Sequence, residues 1–527
     1  MSDSVYGIDL GTTYSAIARI NDLGQAEVVP NFDSNPTTPS VVYFEGANNI
    51  VVGEEAKRVQ RSAPDHACSL IKRHMGTPYP LDFHGERYTP ESVSALILKE
   101  LVNTANSESQ QDVNRVVITV PAYFGVKEKE ATRQAGQIAG LEVVGIVTEP
   151  VAAALSLGIR GESAETVLVY DLGGGTFDTT VMRAEAGRVE VVAVDGNKTL
   201  GGADWDTALS QLIVEKFVEA AGLGDDDPLL DEEFEAELLG QVEETKRSLT
   251  KREKATVRCR YEDRDEKVEV TRDEFDAATR HLVGQTLEIA QRTVDTAERK
   301  TPGLTIDRVL LVGGSAKMPM IETALRDQLG WDPARSDFDL AVAKGAAIYG
   351  QAAVDEVLST DGTEVAVAAD AEQKYFLGGA KALSVTNVLS RGLGVRFHDV
   401  DKDEDFISFL VHANDSIPVR LDPITARTIV DNQSEVEIGL YEQGGELESR
   451  SPEDNQLLQE KSLEIPLMPR KSPIEITLTV TAEGLARVTA FEPTGNRTID
   501  VEAQVSVLSQ DEVEQAAKQV SGLALRS

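Results

Sequence analysis

"VYDLGGGTFDTT", residues 169–180, is the stretch from which the rest of the chain can be organised. An apolar strand ends on Asp171, three glycines follow, and a second acid, Asp178, stands just beyond them. Glycine brings backbone N–H groups close to a ligand because no side chain intervenes, so Gly173, Gly174 and Gly175 suit a turn that holds polyphosphate. Taken alone, the turn also fits an ordinary hairpin. Its echo argues otherwise: "YGIDLGTTYS" (6–15) repeats the design, with Asp9 closing a strand and Gly11, Thr12 and Thr13 in the turn. A repeat about 160 residues apart predicts two similar subdomains facing each other. A third glycine turn, Gly313–Gly314, follows the apolar run "RVLLV". Mg²⁺ takes oxygen ligands and keeps several waters, so Asp9 and Asp171 are candidates to share one ion, mainly through water. Asp178 and the Thr176 hydroxyl stand where they can orient an attacking water.

The totals bound the alternatives. A chain of 527 residues exceeds a single core, and 41% hydrophobic with 27% charged residues is ordinary for a globular protein. The net charge of −38 argues against nucleic acid and against an anionic membrane surface as partners. Two distant cysteines, Cys68 and Cys259, suit a reducing compartment without a disulfide framework. "SVYGIDLG" enters a strand at once, and no apolar run spans a bilayer, so neither a signal peptide nor a membrane anchor is expected. The expected location is cytoplasmic. No Walker-type Gly-x-x-x-x-Gly-Lys-Ser/Thr and no dinucleotide fingerprint occurs.

Residues 1–353 alternate strands with helical patterns: a strand in "RVVITVPAYF" (115–124), a helix near 127–140, a second in "EPVAAALSLG" (149–158), and strand, turn and helix over 308–325. Residues 354–384 lose periodicity and read as a linker or insertion. Period-two alternation governs 385–508, with "AEG" inside 473–491 as a hairpin turn, which predicts an antiparallel β unit. Residues 509–527 open on a capping box, Ser509 with Glu512, and predict one short helix. The residues alone lead to a nucleotide-binding, two-lobed protein with a β-rich appendage.

"GIDLGTTYS", "IKRHMG" (71–76), "VITVPAYF" (117–124), "EPVAAAL" (149–155), "YDLGGGTFD" (170–178), "LGGADWD" (200–206), "LVGGSAKMPM" (311–320) and "DLAVAKGAAIYG" (339–350) together resemble the 70-kDa heat-shock protein chaperones, relatives of actin and the sugar kinases. The resemblance covers most of the chain. It implies an α/β, actin-like two-lobed ATPase domain followed by an antiparallel β-sandwich that binds peptide, with the last helix as a remnant or truncated lid. It implies ATP/ADP and Mg²⁺ as cofactors, with K⁺ a candidate companion ion. By the same resemblance Lys72 contacts the γ-phosphate, Glu149 positions the catalytic water and relays nucleotide state, and Thr12, Thr13, Tyr14 and Thr176 line the phosphates. Glu243, Lys246, Arg247 and Thr250, with Gly201, Gly202, Gly313, Gly314, Ser315, Lys317 and Asp339, would hold the nucleotide. Val395, Val436 and Ile438 match the lining of a peptide groove, although alternating apolar residues of any core strand would look the same; His398 and Ile429 match an arch over it. Pro121 and Lys129 match an interdomain relay.

The chain departs from the family pattern in places. Lys129 and Lys317 stand where arginines are usual, and lysine lacks the planar face that stacks on adenine. The leucine-rich interdomain linker is replaced by "KALSVTN" (381–387), and only 509–525 follows the β unit, too little for a lid, which implies fast peptide exchange in both nucleotide states. The first functional expectation is an ATP-hydrolysing chaperone for unfolded polypeptide clients, with a J-domain co-chaperone and an exchange factor as partners implied by the resemblance. The alternative is a non-hydrolysing, nucleotide-gated scaffold or exchange factor. A small-molecule kinase would need an acceptor site with its own base, and no residue nominates itself.

Overall fold

The computed structural model describes residues 4–526 apart from 61, 111, 159–163, 186–187, 225, 336–339, 360–372, 376–382, 494–496 and 500–506. Both echoed segments are antiparallel strand pairs: Tyr6–Asp9 with Tyr14–Ile20, and Glu165–Leu172 with Phe177–Glu185. On its other side each first strand meets a parallel partner, Arg115–Val120 in one case and Arg308–Val312 in the other. The first sheet runs Glu142–Thr148, Arg115–Val120, Tyr6–Asp9, Tyr14–Ile20, Ala26–Val29. The second runs Pro333–Arg335, Arg308–Val312, Glu165–Leu172, Phe177–Glu185, Arg188–Asn197, Leu383–Val388, Gln373–Tyr375. Parallel strands covered on both faces read as unbroken apolar runs, and "RVVITV" is buried at every position after its arginine.

A shared core joins the sheets. Val117, Val147 and Val151 meet Val167, Val169 and Leu310 around Val342, Ala346 and Tyr349 of the helix Ala341–Ser359. Two glycines let that helix lie this close. A Cβ on Gly7 would come within 2.1 Å of the Ala347 nitrogen, and one on Gly345 within 1.7 Å of the Ala152 carbonyl oxygen. The helix runs to Ser359, past the expected boundary at 353, because residues 354–359, "VDEVLS", contain neither proline nor glycine to stop it. "KALSVTN" also behaves differently from a free linker. From Leu383 it is a strand, parallel to Arg188–Asn197, so the expected boundary at 385 falls inside an element of the second sheet.

The β-rich part packs a sheet of Glu404–Val411, Leu393–Asp399, Gln433–Glu442 and Gln456–Met468 against one built on Pro473–Val480 and Ala486–Glu492. The expected hairpin over 473–492 is present, with Gly484 at φ 87° in its turn. Leu393, Val395, Ile438, Leu440, Leu478 and Val488 fill the space between the sheets.

The helix Gln510–Gly522 carries the expected reciprocal cap between Ser509 and Glu512. It does not cover the β-sandwich. Val513, Val520 and Leu523 enter the core of the first sheet, and Ala524–Arg526 adds a parallel strand to the edge Asn49–Val52. Gln134 binds both the N–H and the carbonyl of Leu508, and the Lys99 ammonium donates to the Val520 carbonyl.

Candidate nucleotide site

A cleft of about 820 Å³ opens where the two echoed turns face each other. Asp9, Gly11, Thr12, Thr13 and Tyr14 line one side; Asp171, Gly173, Gly174 and Thr176 line the other. Lys72, on the short helix Ile71–His74, and Glu149, at the first position of the helix Glu149–Ser156, enter from the first unit as an ion pair of 2.6 Å. Glu243, Lys246, Arg247 and Thr250 recur at helical spacing on Glu232–Lys251, which places them along one wall. Gly313, Gly314, Ser315 and Lys317 close the far end. Asp339 lies outside the described residues.

The glycines of the second turn have a further reason to be bare. A Cβ on Gly174 would sit 2.3 Å from the Thr13 side chain, and one on Gly175 2.2 Å from that of Thr12, whereas Gly173 has 3.5 Å of clearance. Direct approach of one turn to the other therefore requires Gly174 and Gly175, beyond any ligand. Gly201 and Gly202 lie beneath: Gly202 N donates to the Gly173 carbonyl at 3.0 Å and Ala203 N to that of Gly174 at 2.8 Å. The Lys246 ammonium ties this floor to the wall, bonding the Gly202 carbonyl at 2.9 Å and Asp206 at 2.7 Å.

Charge is out of balance at the centre. Burial, and then the charges of Glu149, Asp178 and Asp9, hold the Asp171 carboxyl well above its usual range. Burial, then Glu149, pushes Asp178 up to about 8, against the Tyr123 amide that donates to its Oδ1 at 2.8 Å. Asp178 is the cross-strand partner of Asp171, and it sits behind the cleft wall, 3% exposed. Carboxylates thus outnumber the Lys72 ammonium, an arrangement that a bound cation would relieve. Among the described residues no three His, Cys, Asp or Glu side chains converge as a direct ligand set. The carboxylate oxygens of Asp9 and Asp171 are of the hard-donor kind that Mg²⁺ takes, so the lining fits such an ion.

Several residues of the site carry no local sequence signal. Lys57 bridges the cleft to Glu243 at 2.5 Å and to the Tyr14 hydroxyl at 2.7 Å; burial depresses its pKa, but Glu243 outweighs this and raises it. Arg73 donates to the Gly175 carbonyl at 2.8 Å and to Asp204 at 2.7 Å. Both are ordinary surface cations until their partners, far away in sequence, are known. In the sandwich, Val395 and Ile438 are 1% and 2% exposed inside the core and Val436 packs partly buried against it, while His398 and Ile429 stay near the surface, apart from the cleft. Pro121 ends its strand beside the Asp178 contact, and the Lys129 ammonium is buried at the Gly484 turn of the sandwich hairpin, where a Cβ would approach it to 2.7 Å. Cys68 and Cys259 are free and buried, as a reducing compartment allows.

Comparison with known proteins gives the family. The chain is 36% identical to the chaperone protein DnaK of Thermotoga petrophila over 496 residues, covering 92% of this chain and 78% of that protein. The same values hold for the chaperone protein DnaK of Thermotoga maritima. The sequence profile of the family described as "Hsp70 protein" matches residues 5–83 and 79–525, so the chain belongs to the Hsp70 family.

Proposed function

We propose that this protein is an ATP-dependent chaperone that hydrolyses ATP in the cleft and binds extended apolar segments of unfolded polypeptide in the β-sandwich. The observation that carries the reading is the convergence of both echoed turns, the Lys72–Glu149 pair and the acids Asp9 and Asp171 on one cleft, with Asp178 behind its wall as the cross-strand partner of Asp171. The N-terminal part acts as the actin-like, two-lobed ATPase domain. The N–H groups of the bare turns bind the phosphates, and Lys72 meets the γ-phosphate as a point charge. Glu149 and Thr176 orient the attacking water, and Asp178, the cross-strand partner of Asp171, supports that arrangement from behind the cleft wall. Asp9 and Asp171 would hold Mg²⁺, which supplies charge neutralisation on the phosphates. Lys57, bonded to Glu243, and Arg73, bonded to the Gly175 carbonyl, tie the two sides of the site together. Polypeptide clients, a J-domain co-chaperone and an exchange factor follow from family membership, and a cytoplasmic location accords with the absence of any membrane-crossing helix among the described residues.

Single-turnover hydrolysis by the full chain and by Lys72→Ala tests the enzyme reading. A loss of at least about 100-fold is expected, since the substitution removes the cation proposed to meet the γ-phosphate. Equal rates would leave only a nucleotide-gated scaffold. Release of a fluorescent apolar peptide on addition of ATP tests the chaperone half; a peptide that never binds would remove it.

A further inference from the structure

The turn between Arg115–Val120 and the helix Val126–Ile138 holds Asp178, and the β-sandwich holds the turn. Gly125, the residue that precedes this helix, supplies no side-chain cap. Glu442, at the end of a sandwich strand, does so instead: its Oε1 accepts from Val126 N at 2.8 Å. Gly125 has to be bare for this, because a Cβ there would lie 2.3 Å from a carboxylate oxygen of Glu442. Ser390 Oγ donates to the Phe124 carbonyl at 2.9 Å. The Arg391 guanidinium lies over the Tyr123 ring, 4.8 Å from its centroid, and its Nη1 is 3.7 Å from Glu442 Oε2. Three consecutive or facing sandwich-side groups therefore grip Tyr123, Phe124 and Val126, and the amide of that same Tyr123 donates to Asp178.

The grip is buried. Glu442 and Asp178 are buried, and Arg391 is 8% exposed. Gly196, the cross-strand neighbour of Asp178, leaves room for the Tyr123 Cβ; a Cβ on Gly196 would come within 2.9 Å of it and 3.1 Å of Asp178 Oδ1. Against burial, the charges of Arg391 and Lys198 hold the Glu128 carboxyl below its usual range, and Lys198 bonds it at 3.0 Å. A guanidinium fixed between a ring and a buried carboxylate has little freedom, and removing its charge leaves Glu442 without its principal counter-charge.

We propose that Arg391 is a positioning residue for hydrolysis: stacked on Tyr123 and paired with Glu442, it fixes the turn whose amide orients Asp178. The inference rests on the hydrolytic reading above. It assigns Arg391 and Glu442 as the groups through which the state of the sandwich reaches Asp178. A residue that merely joined the two parts would alter stability and leave the chemical step alone.

The test uses the full chain, with single-turnover rate at saturating ATP, nucleotide Kd and Tm measured on each variant. Arg391→Met is expected to lower the rate about 10-fold or more with Kd within about twofold, the size of effect that slight misplacement of a reacting group produces. Arg391→Lys restores only part of the rate, since it keeps charge without the stacking face. Glu442→Gln keeps an acceptor for Val126 N while removing the counter-charge, and an intermediate loss is expected should Arg391→Met fail to fold. Tyr123→Leu, which retains the backbone amide, combines with Arg391→Met less than additively. Unchanged rates in the folded variants, strictly additive losses, or losses that follow Kd would each overturn the proposal. Lys72→Ala is measured alongside: an active wild type indifferent to Arg391 removes this inference alone, whereas a wild type no faster than Lys72→Ala removes the hydrolytic reading and this inference with it.

Discussion

At the scale of single residues, the glycines of the cleft divide by what stands opposite them. Gly175→Ala would press a Cβ to 2.2 Å of the Thr12 side chain, and Gly173→Ala meets nothing nearer than 3.5 Å. Overpacking in a closely fitted site costs about 1–3 kcal/mol. Gly175→Ala is therefore expected to lower Tm by several degrees, and Gly173→Ala to leave it near wild type; thermal denaturation of the two variants without nucleotide checks this. Equal melting temperatures would show that the turns do not depend on close approach. The buried pair of Lys72 with Glu149 sets a second expectation. Loss of either partner strands a charge in a nearly closed site, so Glu149→Gln should slow hydrolysis and yet destabilise the chain less than Glu149→Ala, because the amide still accepts from Lys72. Melting and single-turnover measurements on the two variants read out both effects.

At the scale of elements, the C-terminal helix and strand are the clearest case of a local signal with a non-local outcome. The capping box predicts a helix at Gln510–Gly522, and the helix forms, but its apolar face is spent on the first sheet's core. Val520 is 1% exposed there. Placing a carboxylate in that core, by Val520→Asp, forfeits roughly 2 kcal/mol of apolar burial and adds the cost of burying a polar group. The expected result is release of the segment, seen as faster amide exchange both in Ala524–Arg526 and along its partner edge Asn49–Val52. Protection that survives on that edge would mean the strand contributes nothing to it.

At the scale of the whole molecule, the β-sandwich meets the first unit through buried charge, and that makes the contact depend on pH. On the helix Val126–Ile138, burial carries the Glu130 carboxyl up to about 7, opposed by Arg133 and reinforced by Glu483 of the sandwich hairpin. Arg133 pairs with that same Glu483. Freed from the contact, Glu130 loses the part of that rise which Glu483 supplies. A carboxyl whose pKa is raised on docking holds its proton more tightly when docked. Its contribution is therefore complete while Glu130 is protonated in both states and lost as pH rises through about 7. The contact is expected to weaken as pH rises through about 7, and Glu130→Gln to flatten that dependence. Distance measurements between labels on the sandwich and on the first unit check it; an identical pH response in wild type and Glu130→Gln would assign the effect elsewhere.

Much of this molecule was already written in local pattern. Period-two alternation, glycine turns after apolar strands and the Ser509–Glu512 box each reflect forces acting within a few residues, and the expected hairpins and helices are present where those signals stand. The echo between 6–15 and 169–180 even carried the cleft, because one strand–turn–strand design used twice places its acids alike. Other features needed partners brought from far along the chain. Lys57 meets Glu243, Arg73 meets Asp204 and Glu442 caps Val126, and no spacing rule links such positions. Val395 and Ile438 alternate as a groove lining would, yet lie in the sandwich core, since alternation says that one face is covered and not by what. The same holds for the strand from Leu383 and for the terminal helix. Local chemistry chose the elements; which surface each one buries was decided only when the folded chain offered the surfaces.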